Sequence, residues 1–330
     1  MDRGVRYDII TVGSAVVDAF LHTEKAELHK IHQQLDLCYP LGAKVLVKEL
    51  EFFTGGGGTN TAVSFSRLGF KTAYLGMIGL DNNGKMILDE LHKEKVDFIG
   101  GRGKISGFSV IIDAVAKDRT VFAYKGCVDE FSRKHFQLTD LECDWFYFSA
   151  MMNRSMKTQE FLAKYAHKKN IKIAYNPSLY LAKKGHKFLK NILKYTEVLI
   201  LNKEEIKELL KTDSNNLFEL SHEASNLGPN IVVVTDGEHG VQCFNKHEAC
   251  FYAARPKKVH IVETTGAGDA FSSGFVTGLM RGKSIDVALK IGMLNAESVI
   301  AHKGAKNILL DNKAFIFAEK DKRVILKRPL

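Results

Sequence analysis

The chain has 330 residues, 45% hydrophobic and 26% charged, with 27 Gly, 5 Pro and a formal charge of +9 from 47 basic and 38 acidic side chains. A chain this long buries roughly 75% of the surface its unfolded form exposes, which excludes a disordered chain and a small scaffold stapled by disulfides or a metal. Its longest apolar runs stop far short of the roughly 20 residues of a membrane span.

The lysines fall between apolar residues at helical spacing, as in 164–170 and 182–190, without interleaved aromatics. The charge therefore reads as solvated helix faces, with no nucleic-acid and no membrane partner expected. Five cysteines, an odd number, hold no Cys-x-x-Cys pair, and the first residues enter a strand pattern with no apolar leader. Both features point to a cytoplasmic protein with reduced thiols.

In chain order, residues 8–12 form a continuous apolar run of the kind buried on both faces of a sheet. From about 15 to 54 the pattern changes to half-alternating segments such as 44–53. Thr54 then opens a run of four glycines, Gly55, Gly56, Gly57 and Gly58, followed by Thr59, Asn60 and a helical pattern through Ala62, Val63, Phe65 and Leu68. Glycines let backbone approach a ligand closely and Asn60 offers a donor and an acceptor, although a lone glycine run is as readily a flexible turn.

A strand follows at 72–78, and residues 79–85 nearly fit a phosphate-binding P-loop. Met86 stands where a hydroxyl residue would bind Mg²⁺, and that reading is set aside. A second half-alternating stretch, about 104–127, carries Arg119, Tyr124 and Lys125. The two irregular stretches predict a small separate sheet beside the strand ends, acting as a lid.

Thereafter apolar runs at 145–149, 171–175, 198–202 and 231–235 alternate with helical patterns such as 161–167 and 204–210. Alternation of this kind predicts a parallel sheet covered by helices, and the absence of a linker or repeat makes 1–330 a single domain. At one strand end, Asn202-Lys203-Glu204-Glu205 places an amide and a carboxylate three apart. They could hold the water shell of Mg²⁺, and they read equally as a helix N-cap with its N3 carboxylate. Thr235-Asp236-Gly237 follows the next strand, as a site loop or a tight turn.

The most informative stretch is 263–276, where Gly266, Ala267 and Gly268 directly precede a helical pattern. Unpaired amides at a helix start favour an anion, and small residues let a phosphate reach them. Asp269 stands in the same place, where a carboxylate would repel that anion unless it serves to take a proton from a group attacking phosphorus. A bland alternative is an ordinary first-turn Asp.

Together these residues resemble the ribokinase-like, or PfkB, family of carbohydrate and nucleoside kinases, from about Asp8 to Asn307. The resemblance implies a three-layer α/β/α fold with a mostly parallel central sheet plus a small β-sheet lid. It implies an enzyme that moves the γ-phosphoryl of ATP, with Mg²⁺, to a primary hydroxyl of a small sugar. Nucleoside phosphorylation is the alternative acceptor chemistry, and a non-catalytic sugar- or nucleotide-sensing protein is the alternative of another class. A dinucleotide-binding oxidoreductase is disfavoured, because the turn after the first strand lacks Gly-x-Gly-x-x-Gly.

Carried over by position, the resemblance makes Asp269 the catalytic base and Gly266, Ala267 and Gly268 the anion hole. It assigns Asp18, Gly55, Gly56, Gly57 and Asn60 to the substrate, with Arg119 added from the lid. Asn202, Thr235, Gly237, Asn295 and Gly304 match nucleotide positions, and Asn202 with Glu205 matches the Mg²⁺-linked pair. Glu263 and Thr265 match a monovalent-cation site, expected for K⁺, although Glu263 is one methylene longer than the usual Asp. Gly57 stands where ribokinases tend to carry Lys. Phe52, Phe53, Met151 and Met152 could line an apolar slot for a nucleobase, and an exposed lid edge could pair two subunits as a homodimer.

Overall fold

In a computed structural model of the chain, which describes residues 5–23, 27–31, 34–113 and 119–330, the apolar runs assemble into a ten-stranded sheet. From one edge its order is Asp97–Phe98, Thr72–Leu75, Tyr7–Val12, Cys143–Phe148, Lys172–Tyr175, Val198–Asn202 and Ile231–Thr235, all parallel. Val241–Asn245, Cys250–Ala254 and Leu326–Pro329 then continue it antiparallel.

The central strands read as unbroken apolar runs because each serves two cores. Ile10, Phe146, Ile173, Leu199 and Val232 enter a core shared with helices Asn153–Lys169, His186–Leu193 and Lys203–Leu210. Their neighbours Ile9, Tyr147, Ala174, Val198 and Val233 enter another, shared with helices Gly57–Arg67, Ala267–Met280 and Ile285–Ile300. Successive side chains of a strand point to opposite faces, so a helical layer on each face demands an apolar residue at every position. The result is the expected three-layer arrangement.

The strand order reverses between Tyr7–Val12 and Cys143–Phe148. From Tyr7–Val12 the chain adds strands outward on one side, then returns to Cys143–Phe148 on the other, which opens a crevice at the carboxyl ends of these strands. Over that crevice stands a four-stranded sheet, in the order Arg119–Tyr124, Gly107–Asp113, Val16–Thr23, Val47–Gly55. Its strands come from the two stretches that broke the alternating pattern.

Register sets which residues of the small sheet share a face. Asp18 lies opposite Phe53 on one side and Ser109 on the other, so these three share a face. Phe20 packs edge-on against Phe53 at 5.5 Å between ring centres. Phe52 takes the other face, where it is exposed with Leu50, Phe122 and Tyr124. This corrects the expected apolar slot, because Phe52 and Phe53 diverge and Met151 is buried in the main core. Among the described residues no helix is long and apolar enough to cross a membrane.

Candidate active site

Two glycine-led helices meet at the crevice. Helix Ala267–Met280 starts at Gly266, whose φ of +79° is left-handed and whose missing Cβ would lie 2.4 Å from that of Ala305. Any other residue there would meet both strain and a clash. A Cβ at Gly268 would have nothing within 4 Å, so this position opens onto free space. Asp269 sits in the first turn, and Asn60 of helix Gly57–Arg67 donates from Nδ2 to its Oδ2 at 2.8 Å. One turn along both helices, Ser273 Oγ donates to Ser64 Oγ at 2.7 Å. The pairs 60–269 and 64–273 repeat at a spacing of four and lace the helices together.

The carboxyl of Asp269 is raised above the usual carboxylate range, chiefly by burial, while the Asn60 hydrogen bond and the charge of Lys306 hold it down. Asn60 itself is buried, and its Oδ1 has no hydrogen-bond partner among the described residues. A buried acceptor left open costs about 1–3 kcal/mol, which a ligand hydroxyl arriving there would recover.

The glycine run packs against the turn after strand Tyr7–Val12. Gly57 N–H donates to Ser14 Oγ at 3.2 Å and Gly58 N–H to Ser14 O at 3.0 Å. A Cβ at Gly55 would lie 2.1 Å from Asp18 Oδ2, and one at Gly57 would lie 2.8 Å from Ser149 Cβ and 3.5 Å from Asp269 Oδ1. Asp18, Gly55, Gly57, Asn60 and Asp269 are thus brought to one place. Gly56, at φ +100°, turns the chain between them. Ser149, directly after strand Cys143–Phe148, joins this group with a buried Oγ that has no partner among the described residues. Nothing in its local sequence singles it out, and its strand-end position is the only signal.

Beside Asp269 lies a cavity of about 180 Å³ bordered by Asn176, Asn202, Glu205, Thr235, Gly268 and Asp269. The ends of three parallel strands deliver Asn176, Asn202 and Thr235, helix Lys203–Leu210 carries Glu205, and register puts Asn202 directly opposite Thr235. Asn202 and Glu205 form a capping box: Glu205 N–H donates to Asn202 Oδ1 and Asn202 N–H to Glu205 Oε2, each at 2.8 Å. The bland reading of this pair is therefore realised, worth about 1 kcal/mol for the cap.

The same buried Glu205 is raised above the usual carboxylate range, first by burial and further by the charges of Glu204 and Asp269. Carboxylates that share a cavity and oppose each other's ionisation fit a hydrated divalent cation. Among the described residues no three His, Cys, Asp or Glu side chains converge, so such an ion would draw its other ligands from phosphate and water.

The first-turn amides divide in use. Ala267 N–H donates to Thr264 O at 3.2 Å, while the amides of Gly268 and Asp269 lie in the helix's first turn, ahead of any intrahelical acceptor. An anion entering past Gly268 would meet these amides. Gly237, at φ +53°, follows Asp236 in a single 3₁₀ turn and also faces open space.

Glu263 Oε2 accepts from Gly304 N–H at 2.9 Å, tying the loop that holds Thr265 to the loop after helix Ile285–Ile300. A Cβ on Gly304 would lie 3.1 Å from the Phe53 ring, so this loop touches the small sheet. Arg119 begins strand Arg119–Tyr124, but its side chain lies outside the described residues.

Asn295 requires correction as a ligand residue. It is fully buried, donates to Ser64 Oγ at 3.0 Å and Ala270 O at 2.8 Å, and accepts from Leu310 N–H at 2.9 Å. Its polar atoms are committed to holding helix Ile285–Ile300 against the two glycine-led helices, with none turned to a nucleotide.

Comparison with known proteins places the family and the fold. Residues 8–312 match the model of the pfkB family carbohydrate kinases. A relative from Archaeoglobus fulgidus described as an uncharacterized sugar kinase is 27% identical over 247 residues, covering 74% of this chain and 97% of its own length. The structure of Arabidopsis thaliana ribokinase complexed with ribose and ATP superposes with a TM-score of 0.80 at 20% identity, covering 96% of this chain and 100% of that one. The adenosine kinase of Sinorhizobium meliloti gives 0.79 at 18% identity, covering 96% and 99%.

Proposed function

The chain belongs to the pfkB family of carbohydrate kinases, and on that premise we propose that it transfers the γ-phosphoryl of ATP to a primary hydroxyl of a small sugar with Asp269 as general base. Kinases of this family use ATP, typically with Mg²⁺. The observation that carries the proposal is the placement of Asp269, held by Asn60 beside the open start of its helix at Gly268.

In this reading the acceptor lies between Asp18, Asn60 and the backbone of Gly55, Gly56 and Gly57, with Arg119 contributing from the small sheet. Asp269 takes the hydroxyl proton as the oxygen forms its bond to the γ-phosphorus and the bond to the ADP oxygen breaks. The amides of Gly268 and Asp269 face the charge on the transferring group, with Gly266 and Ala267 setting the turn. Thr235, Gly237 and the Gly304 loop bound the nucleotide. Asn202 and Glu205 would hold a hydrated Mg²⁺, which would neutralise charge on the phosphates. Closing the small sheet as a lid excludes water that would otherwise hydrolyse ATP.

Three further features complete the reading. Glu263 joins its loop to Gly304, and a K⁺ ion, when bound, would be held beside Glu263 and Thr265. The exposed face with Leu50, Phe52, Phe122 and Tyr124 pairs two copies as a homodimer. The enzyme works in the cytoplasm, free of nucleic acid and membrane.

A second reading, a nucleoside acceptor, is favoured by the Phe20–Phe53 pair on the site face, which offers a base an aromatic wall. The deciding experiment is ADP formation from Mg-ATP against pentoses, hexoses, sugar acids, sugar phosphates and nucleosides, with and without K⁺. Acceptor-dependent turnover with a sugar supports the first reading and with a nucleoside the second. ATP binding without turnover on any acceptor would favour a sensing protein.

A further inference from the structure

The loop after helix Ile285–Ile300 carries two lysines with different surroundings. Lys303 stays at the surface, its ammonium 2.8 Å from Glu51 and 3.4 Å from Glu49 on strand Val47–Gly55. Lys306 is buried, with 5% exposure, and donates to Thr54 Oγ1 at 2.7 Å and to the Glu90 carboxylate. The Thr54 hydroxyl donates to the same carboxylate. Thr54 directly precedes the glycine run, and Glu90 belongs to helix Asn82–Lys93.

The backbone here is fixed as firmly as the ammonium. The Lys306 carbonyl accepts from Arg67 Nη1 at 2.8 Å, and Arg67 is held by Glu94 through two bonds of 2.7 and 2.8 Å. One side chain thus joins the root of the small sheet, the second helix of the chain and the C-terminal loop. An ammonium is a costly joint, because its burial carries a penalty of several kcal/mol that only close countercharge offsets. Glu90 supplies that contact. Asp18 and Glu94 act on Lys306 besides Glu90, and Lys306 in turn acts on Asp269. Asp18 and Asp269 are the acids on either side of the acceptor's place.

We propose that Lys306 is a positioning residue for phosphoryl transfer, pinning the start of the glycine run through Thr54 and Glu90. This rests on the kinase reading given above. Asn60 from helix Gly57–Arg67 and the charge of Lys306 act on Asp269, and Asp269 in turn acts on Glu205 of helix Lys203–Leu210 and on Tyr147 of strand Cys143–Phe148. Lys306 is the cation among them. With it removed, burial acts on Asp269 with less opposition, and the base protonates at higher pH.

The test compares full-length wild type with Lys306→Met and with the double variant Lys306→Met/Glu90→Met, in which no orphaned Glu90 carboxylate is left to unfold the protein. Both variants are expected to lose about 10²-fold in kcat/KM, mainly in kcat with KM for ATP unchanged, and to move the acid limb of the pH profile upward. A folded double variant with wild-type kcat and an unmoved acid limb would overturn the proposal. Should wild type turn over no acceptor, the kinase reading fails on its own, and carbon-13 titration of the Asp269 carboxyl, assigned with Asp269→Asn, reads Lys306 directly. A higher pKa in Lys306→Met then supports its role, and an unchanged one overturns it.

Discussion

At the start of helix Gly57–Arg67 the glycines are packed on every side, whereas at the start of helix Ala267–Met280 one glycine faces empty space. A Cβ on Gly56 would lie 2.5 Å from Ser14 O, and one on Gly58 would lie 2.7 Å from the Tyr74 ring and 2.9 Å from Gly13 Cα. Gly268 would meet nothing within 4 Å. The two starts look alike as sequence but solve different problems. The first lets backbone press against backbone, which on the proposed function would bring Asp18 and Asn60 to the acceptor; the second leaves a helix start clear, where an anion would bind. The two starts are joined where Asn60 and Asp269 bond across the gap.

The largest effect that would sharpen this comparison is expected from Gly268→Val. The added Cβ meets nothing within 4 Å in the free protein, so the melting temperature is expected to hold while kcat/KM with Mg-ATP falls about 10²-fold. Equal losses of stability and activity would erase the distinction. Gly58→Ala should do the reverse, costing about 1–3 kcal/mol in urea denaturation, with activity per folded molecule far less affected than in Gly268→Val.

Asn60→Ala cuts the link between the helices and is expected to lower kcat about tenfold, the scale of a hydrogen bond to a charged group. It should also shift the acid limb of the pH–rate profile upward, since the lost bond favours the ionised Asp269. An unmoved limb would show that the two starts act independently.

The smallest effect concerns stability. The folded-state pKa of Asp269 is raised by burial, so its stabilising contribution is complete below the ordinary carboxylate pKa and is lost as pH rises through the folded value. Asp269→Asn should therefore melt above wild type at pH 7, with the gap closing in acid below about pH 4. A variant that melts lower at pH 7 would show that the charged base is not strained in the free protein.

Much of this was legible in the sequence, for physical reasons. Strands between two helical layers must be apolar at every position, so runs such as 198–202 announce a parallel sheet. Glycine runs before helices mark places where other groups approach the backbone closely, as at Gly55, Gly57 and Gly266. What failed to show was anything decided by burial across distant segments. Ser149 follows an ordinary strand, and its orphaned hydroxyl is visible only once Gly13 and Gly57 stand beside it. Lys303 and Lys306 share one short loop in a lysine-rich chain, and only packing separates the surface cation from the buried one. Asn295 shows the opposite error, since a polar residue matched to a nucleotide position proved to be consumed by helix packing.

The central claim is that Asp269 serves the transfer step rather than nucleotide binding. The direct measurement is Mg-ATP affinity by calorimetry beside kcat with the best acceptor, for wild type and Asp269→Asn. The account predicts matching affinities and a kcat lower by about 10²–10⁴-fold in the variant. A variant that binds Mg-ATP normally and turns over within a few-fold of wild type would contradict it.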